Sequence, residues 1–130
     1  MTISYGFGTE VAGGFDAVVG RVIEALKQEG FGVLTDIDVA ATLEKKLNQK
    51  MPPYRILGAC NPPLAHRAIM AEPSIGLLLP CNVVVREDAA GKIQVEFMDP
   101  DAVLKLVDRP EIAELAREVR QRLERVMNNI

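Results

Sequence analysis

Two cysteines, each followed by an asparagine, are the residues best suited to chemistry in this 130-residue chain. They sit in echoing segments, Ala59-Cys60-Asn61-Pro62-Pro63 and Leu79-Pro80-Cys81-Asn82-Val83. A thiolate is the nucleophilic, metal-ligating and oxidisable form of cysteine. Asn61-Pro62 is a helix-start signature, because Asn is a favoured N-cap and Pro is favoured at the first helical position. Cys60 therefore falls just ahead of a helix N-terminus, where free backbone N–H groups and the positive dipole end favour thiolate. The expectation is a low-pKa sulfur at Cys60. Cys81 has no helix terminus beside it and would act as resolving partner or second ligand, with Asn61 and Asn82 orienting backbone and ligand. The competing reading treats both sulfurs as small hydrophobes that fill a core. A disulfide between them would close a loop of about 21 residues, worth roughly 3 kcal/mol.

Other motifs carry less. A structural zinc wants four Cys or His ligands, and the chain has two cysteines and one histidine. No metal site is expected within one chain. A site shared across a symmetric dimer, with Cys60 and Cys81 from each copy, stays open. His66 lies beside Arg67 and reads as solvent-facing. Gly6-Phe7-Gly8 lacks the third glycine of a phosphate loop, and no Lys-Ser/Thr pair follows it. Neither Ser4 nor Ser74 sits in a nucleophile elbow. Asp36 and Asp38 are better explained by turn and capping roles than by acid–base work. Lys45, Lys46 and Lys50 read as a solvated helix end.

Lys+Arg 15 against Asp+Glu 18 gives a net charge of -3. A phosphate-binding domain usually shows a basic excess or stripe, and the absence of Trp, with Phe 4 and Tyr 2, argues against a base-stacking platform. No nucleic-acid partner is expected. The N-terminus lacks a cationic start followed by an apolar run, and no apolar stretch reaches the ~18–20 residues of a membrane helix. The expectation is a cytoplasmic protein with no membrane partner and reduced cysteines.

The elements that must position these residues follow from periodicity. Ile3–Phe7 alternates and reads as a strand. Phe15, Val18, Val19, Val22, Ile23 and Leu26 fall at helical spacing, with Gly30 ending the helix. Phe31–Leu34 is a short strand, and Asp38 caps a helix from Val39 to Leu47. Tyr54–Ala59 is a strand that feeds the helix from Pro62 to Ala71. Leu77–Val85 is apolar on both faces and reads as a central strand, with Pro80 demanding a bulge. Lys92–Met98 alternates as a strand with one wet face, joined to its predecessor by a tight connection over Asp88–Gly91. Asp99-Pro100-Asp101 reads as a turn, and a last amphipathic helix starts near Pro110. No linker or repeat divides the chain, so residues 1–130 read as a single domain. The pattern implies an α+β two-layer sandwich, mostly antiparallel, with helices packed on one face of the sheet.

Across these segments the chain resembles the bacterial and archaeal family called domain of unknown function 302. The matching pieces are Gly30-Phe31-Gly32-Val33-Leu34, Asp38-Val39 with Thr42-Leu43 and Lys46-Leu47, and Val95-Glu96-Phe97-Met98-Asp99-Pro100. The most specific are Leu57-Gly58-Ala59-Cys60-Asn61-Pro62 and the run from Gly76 to Val85 with Cys81-Asn82 inside it. The loop at Gly13-Gly14 is less typical. The resemblance implies a small two-layer α/β domain that dimerises. It singles out Cys60, Asn61, Cys81 and Asn82, and it supplies neither a reaction nor a cofactor. Two expectations of different class result. One is a paired-thiol site in redox chemistry or in soft-metal or small-ligand binding. The other is a non-catalytic small-molecule binding or dimerisation module, a homodimer whose cysteines are structural. A large cavity lined by the sheet and away from both sulfurs would favour the second.

Overall fold

A computed structural model describes residues 3–130. Five strands form one antiparallel sheet in the order β1-β5-β4-β3-β2. They are β1 (Gly6–Val11), β2 (Gly32–Asp38), β3 (Tyr54–Cys60), β4 (Cys81–Glu87) and β5 (Ile93–Met98). The helices are α1 (Phe15–Gln28), α2 (Val39–Leu47), α3 (Pro62–Ala71), α4 (Pro100–Val103) and α5 (Pro110–Asn128). Short 3-10 turns cover Pro73–Leu78 and Leu104–Leu106. The two-layer α+β expectation holds.

The period-2 alternation of the strands separates the two sheet faces. Leu57 and Ala59 on β3, Cys81, Val83 and Val85 on β4, and Ile93, Val95 and Phe97 on β5 are all buried. Val18, Val22 and Leu26 of α1 and Ile112, Leu115, Leu123 and Val126 of α5 close the same core. Phe7 stacks on Phe97 with ring centroids 5.4 Å apart, and the Arg120 guanidinium lies 4.0 Å above the Phe7 ring. The intervening residues, among them Ile56, Asn82, Val84, Arg86 and Glu96, belong to a second face that keeps more contact with solvent.

Local signals set most boundaries. Gly30 takes φ 84°, the left-handed value that lets the chain leave α1. The Asp38 side chain accepts from the Ala41 N–H at 2.9 Å and starts α2. The Asn61 side chain accepts from the Leu64 N–H at 3.4 Å and starts α3. Three expectations are corrected. The first strand is Gly6–Val11, not Ile3–Phe7: β1 pairs with β5 through its backbone, from Gly6 opposite Met98 to Val11 opposite Ile93, and needs no apolar side chain at Gly6 or Gly8. The apolar run before Cys81 is not strand. Pro73 starts a 3-10 turn there, and β4 begins only after Pro80, so no bulge is required. Asp99-Pro100-Asp101 opens the short helix α4, with Asp99 as its cap.

α2 differs from the other long helices because none of its residues is buried. The preceding β2 is an edge strand with a register shift between Val33 and Thr35, and its Leu34 is exposed.

Candidate functional site

Strand register decides which predicted site residues meet. Cys81 lies opposite Ala59 in the β3–β4 ladder, and both side chains belong to the core face. Asn82 is the next residue, so it is exposed on the opposite face, opposite Gly58. The pleat therefore splits the Cys81-Asn82 pair that the sequence presented as one motif. Cys60 is out of phase with Ala59, but it is the last residue of β3, where the chain turns into α3. It still borders the crevice that Cys81 lines.

That crevice is small and apolar. Its volume is about 40 Å³, and Phe31, Leu64, Leu79, Leu104 and Leu115 share its wall with the two cysteines. It has room for little more than a water or two. Both cysteines are free. Burial pushes the Cys81 thiol from an ordinary value of 9.0 up to about 12, with the nearby Cys60 adding in the same direction. Burial also pushes the Cys60 thiol up. This corrects the expectation of a low-pKa sulfur. At the end of β3, loss of water around Cys60 outweighs any stabilisation of its thiolate by the α3 N-terminus. Among the described residues, no group of three or more His, Cys, Asp or Glu side chains gathers closely enough to hold a metal ion.

Asn61 is 7 % exposed and, among the described residues, is the one polar side chain that is buried. Its oxygen caps α3, and its Nδ2 lies where a Cβ on Gly30 would come within 3.1 Å. The side chain thus lies between the start of α3, which it caps, and the turn that ends α1. His66 is exposed, as its neighbours implied.

The more open face of the sheet holds a feature that thiol reasoning missed. A cleft of about 420 Å³ is lined by Ile3, Tyr5, Tyr54, Asn82, Val84, Arg86, Glu96 and Met98, together with Gly6 and Phe97. Each element contributes by alternation. β4 supplies Asn82, Val84 and Arg86 in sequence steps of two, and β5 supplies Glu96 and Met98. Val84 lies opposite Glu96 in the ladder and forms the floor between them. Arg86 donates from Nε to Glu96 Oε1 at 2.6 Å, with Nη2 to Oε2 at 3.5 Å. That hydrogen bond raises the Arg86 pKa further, so the guanidinium stays charged. Of the five guanidinium N–H donors, Glu96 engages two. The Arg86–Glu96 and Asn82 positions were readable as the wet phase of two alternating strands. Their convergence on one cleft was not, because it depends on the register.

Comparison with family models matches residues 7–130 to the one described as Domain of unknown function DUF302. A crystal structure of an uncharacterized conserved protein DUF302 from Bacillus stearothermophilus superposes with a TM-score of 0.89 at 30% sequence identity. The match covers 96% of this chain and 97% of that one. Comparison with curated proteins finds no match. No helix among the described residues is long and apolar enough to cross a membrane.

Proposed function

We propose a role for this chain, which belongs to the Domain of unknown function DUF302 family, as a non-catalytic binding module that takes a small amphipathic molecule on the open face of its sheet. The observation that carries this reading is the 420 Å³ cleft, which lies within the volume range of small-molecule sites and combines apolar walls with a few polar groups. Tyr5 and Tyr54 offer aromatic surface, Val84 and Met98 offer aliphatic surface, and Arg86 and Asn82 offer hydrogen-bond donors. A flat apolar body bearing a carbonyl or carboxylate group suits that set. The lining supplies no thiol and no imidazole among the described residues, and its one carboxylate is held by Arg86. Such a constellation positions a ligand and lacks a free base to attack one. In this reading Cys60 and Cys81 are packing residues, and the crevice they share is too small for a substrate.

Amide chemical-shift titration with a set of aromatic and alicyclic carboxylates and amides tests the proposal. Shifts should cluster at Tyr5, Tyr54, Asn82, Val84 and Arg86. Val84→Trp should fill the floor and abolish them, and a Cys60→Ala, Cys81→Ala double variant should bind as the natural chain does. Shifts that gather instead around Cys60, or binding lost in the double cysteine variant with the fold intact, would return the function to the sulfurs.

A further inference from the structure

The polar end of the open-face cleft is one ion pair and the groups around it. Among the described residues that line the cleft, Arg86 and Glu96 are the two that carry charge. Glu96 lies opposite Val84, and Arg86 stands two residues further along β4, so the two heads meet diagonally across the floor. Both stay within reach of a ligand, at 33% exposure for Arg86 and 18% for Glu96. Glu96 takes two of the five guanidinium N–H groups, which leaves three for other partners. The arm from Nη2 to Oε2 spans 3.5 Å, long for a charge-assisted bond. Oε2 is therefore loosely held and can accept a further N–H. The pair thus presents free donors beside a free acceptor. Tyr54, opposite Arg86 in the β3–β4 ladder, brings an aromatic ring to the same end.

A second carboxylate stands nearby. Asp88 directly follows β4, and its Oδ2 accepts from Gln94 Nε2 at 3.0 Å. Gln94 lies opposite Arg86 in the β4–β5 ladder. The bond from Gln94, followed by the one from the Lys92 N–H, holds the Asp88 carboxyl below its ordinary value, so it stays charged. Its field reaches Arg86, as that of Glu96 does. One guanidinium is thus set among two carboxylates, and the charge it offers a ligand is already answered.

From this arrangement, and resting on the binding role proposed above, we infer that the cleft selects a neutral carboxamide or lactam over a carboxylate, with Glu96 as the specificity-determining residue. An amide carries a C=O and an N–H on one head group. The C=O accepts from the spare Arg86 N–H groups, and the N–H donates to Glu96 Oε2. A carboxylate of the same size and shape offers acceptors only. It competes with Glu96 for the guanidinium and sets like charges together. Such a repulsive element is how a site rejects a near-isostere. An ammonium group meets the reverse conflict, because its charge faces Arg86. The ring that bears the amide packs on Val84 and beside Tyr54, where the cleft is apolar.

Benzamide, benzoate and N,N-dimethylbenzamide test this on the natural chain. They share one ring; the first is neutral with an N–H, the second is charged, and the third is neutral without an N–H. Dissociation constants come from the amide shifts of Tyr54, Val84 and Arg86. Benzamide should bind at least ~10-fold tighter than benzoate and at least ~3-fold tighter than its dimethyl derivative. Glu96→Gln should lower the preference for benzamide over benzoate by at least ~10-fold, because it removes the repelling charge and keeps the shape. Raising NaCl from ~20 mM to ~500 mM should narrow the same preference in the natural chain. Benzoate or dimethylbenzamide binding as tightly as benzamide at these positions overturns the inference and leaves the cleft a binding site. So does a preference that Glu96→Gln leaves in place. Shifts at the cleft from none of the three probes overturn the binding role itself, and this inference with it.

Discussion

Cys81 should behave as a protonated filler of the core, and pH-dependent alkylation measures this directly. Its thiol is pushed up to about 12 because the surroundings are apolar. At pH 8 a thiol of ordinary pKa near 9.0 is about 10% thiolate, whereas one at about 12 is about 0.01% thiolate. The alkylation rate of Cys81 in the folded protein should therefore lie ~10³-fold below that of an open thiol on ionisation alone. Mass spectrometry after iodoacetamide treatment should show Cys60, which is less buried, labelled ahead of Cys81, and Cys81 labelled only after unfolding. The same displacement has a thermodynamic face. The unfolded chain releases the Cys81 proton near 9, and the folded chain holds it until about 12. Ionisation thus favours the unfolded state in that window. Stability is unaffected below pH ~9 and falls by up to about 4 kcal/mol as pH passes 12. Urea titrations from pH 8 to 11 should show this slope in the natural chain and a flatter one in Cys81→Ala. Equal labelling of both cysteines in the folded protein at pH 8, or coincident pH slopes for the two chains, would refute the reasoning.

Two further expectations test the sheet and its edge. A Cβ at Gly58 would sit 2.9 Å from Pro80 Cγ and closer still to Thr35 Oγ1. Gly58→Ala should therefore cost about 1–3 kcal/mol in denaturant unfolding, with part recovered when Thr35→Ala is added. Asp38→Ala removes the cap of α2 at a local cost of about 1 kcal/mol. Amide hydrogen exchange should rise through residues 39–47 while the amides of Val83, Val95 and Leu123 keep their protection.

Much of the architecture was legible in the sequence because local chemistry determined it. Asn61-Pro62 gave the start of α3, Asp38 the start of α2, and the alternation of Ile93, Val95 and Phe97 the one-sided strand. The errors share a cause. In Gly76–Pro80 and in Ile3–Tyr5, apolar residues lie outside regular strands, and hydrophobicity alone does not distinguish a strand from a turn that packs its side chains. The candidate site was legible in part. Cys60 and Cys81 line one small crevice, a proximity that the echoing segments alone did not establish. The low pKa failed because a helix N-terminus was weighed without the desolvation around it. The open-face cleft escaped notice because Tyr5, Tyr54, Asn82, Arg86 and Glu96 come from three strands and a preceding loop. No spacing within one segment links them.

The segment between β2 and β3 contributes no buried side chain from its helix. Its composition and length are therefore free to drift without disturbing the hydrophobic interior, which is assembled from α1, α3, α5, the two 3-10 turns and the inner face of the sheet. Foreign sequence inserted after Leu47, whether an epitope or a reporter, would lengthen a connection whose helix buries no side chain.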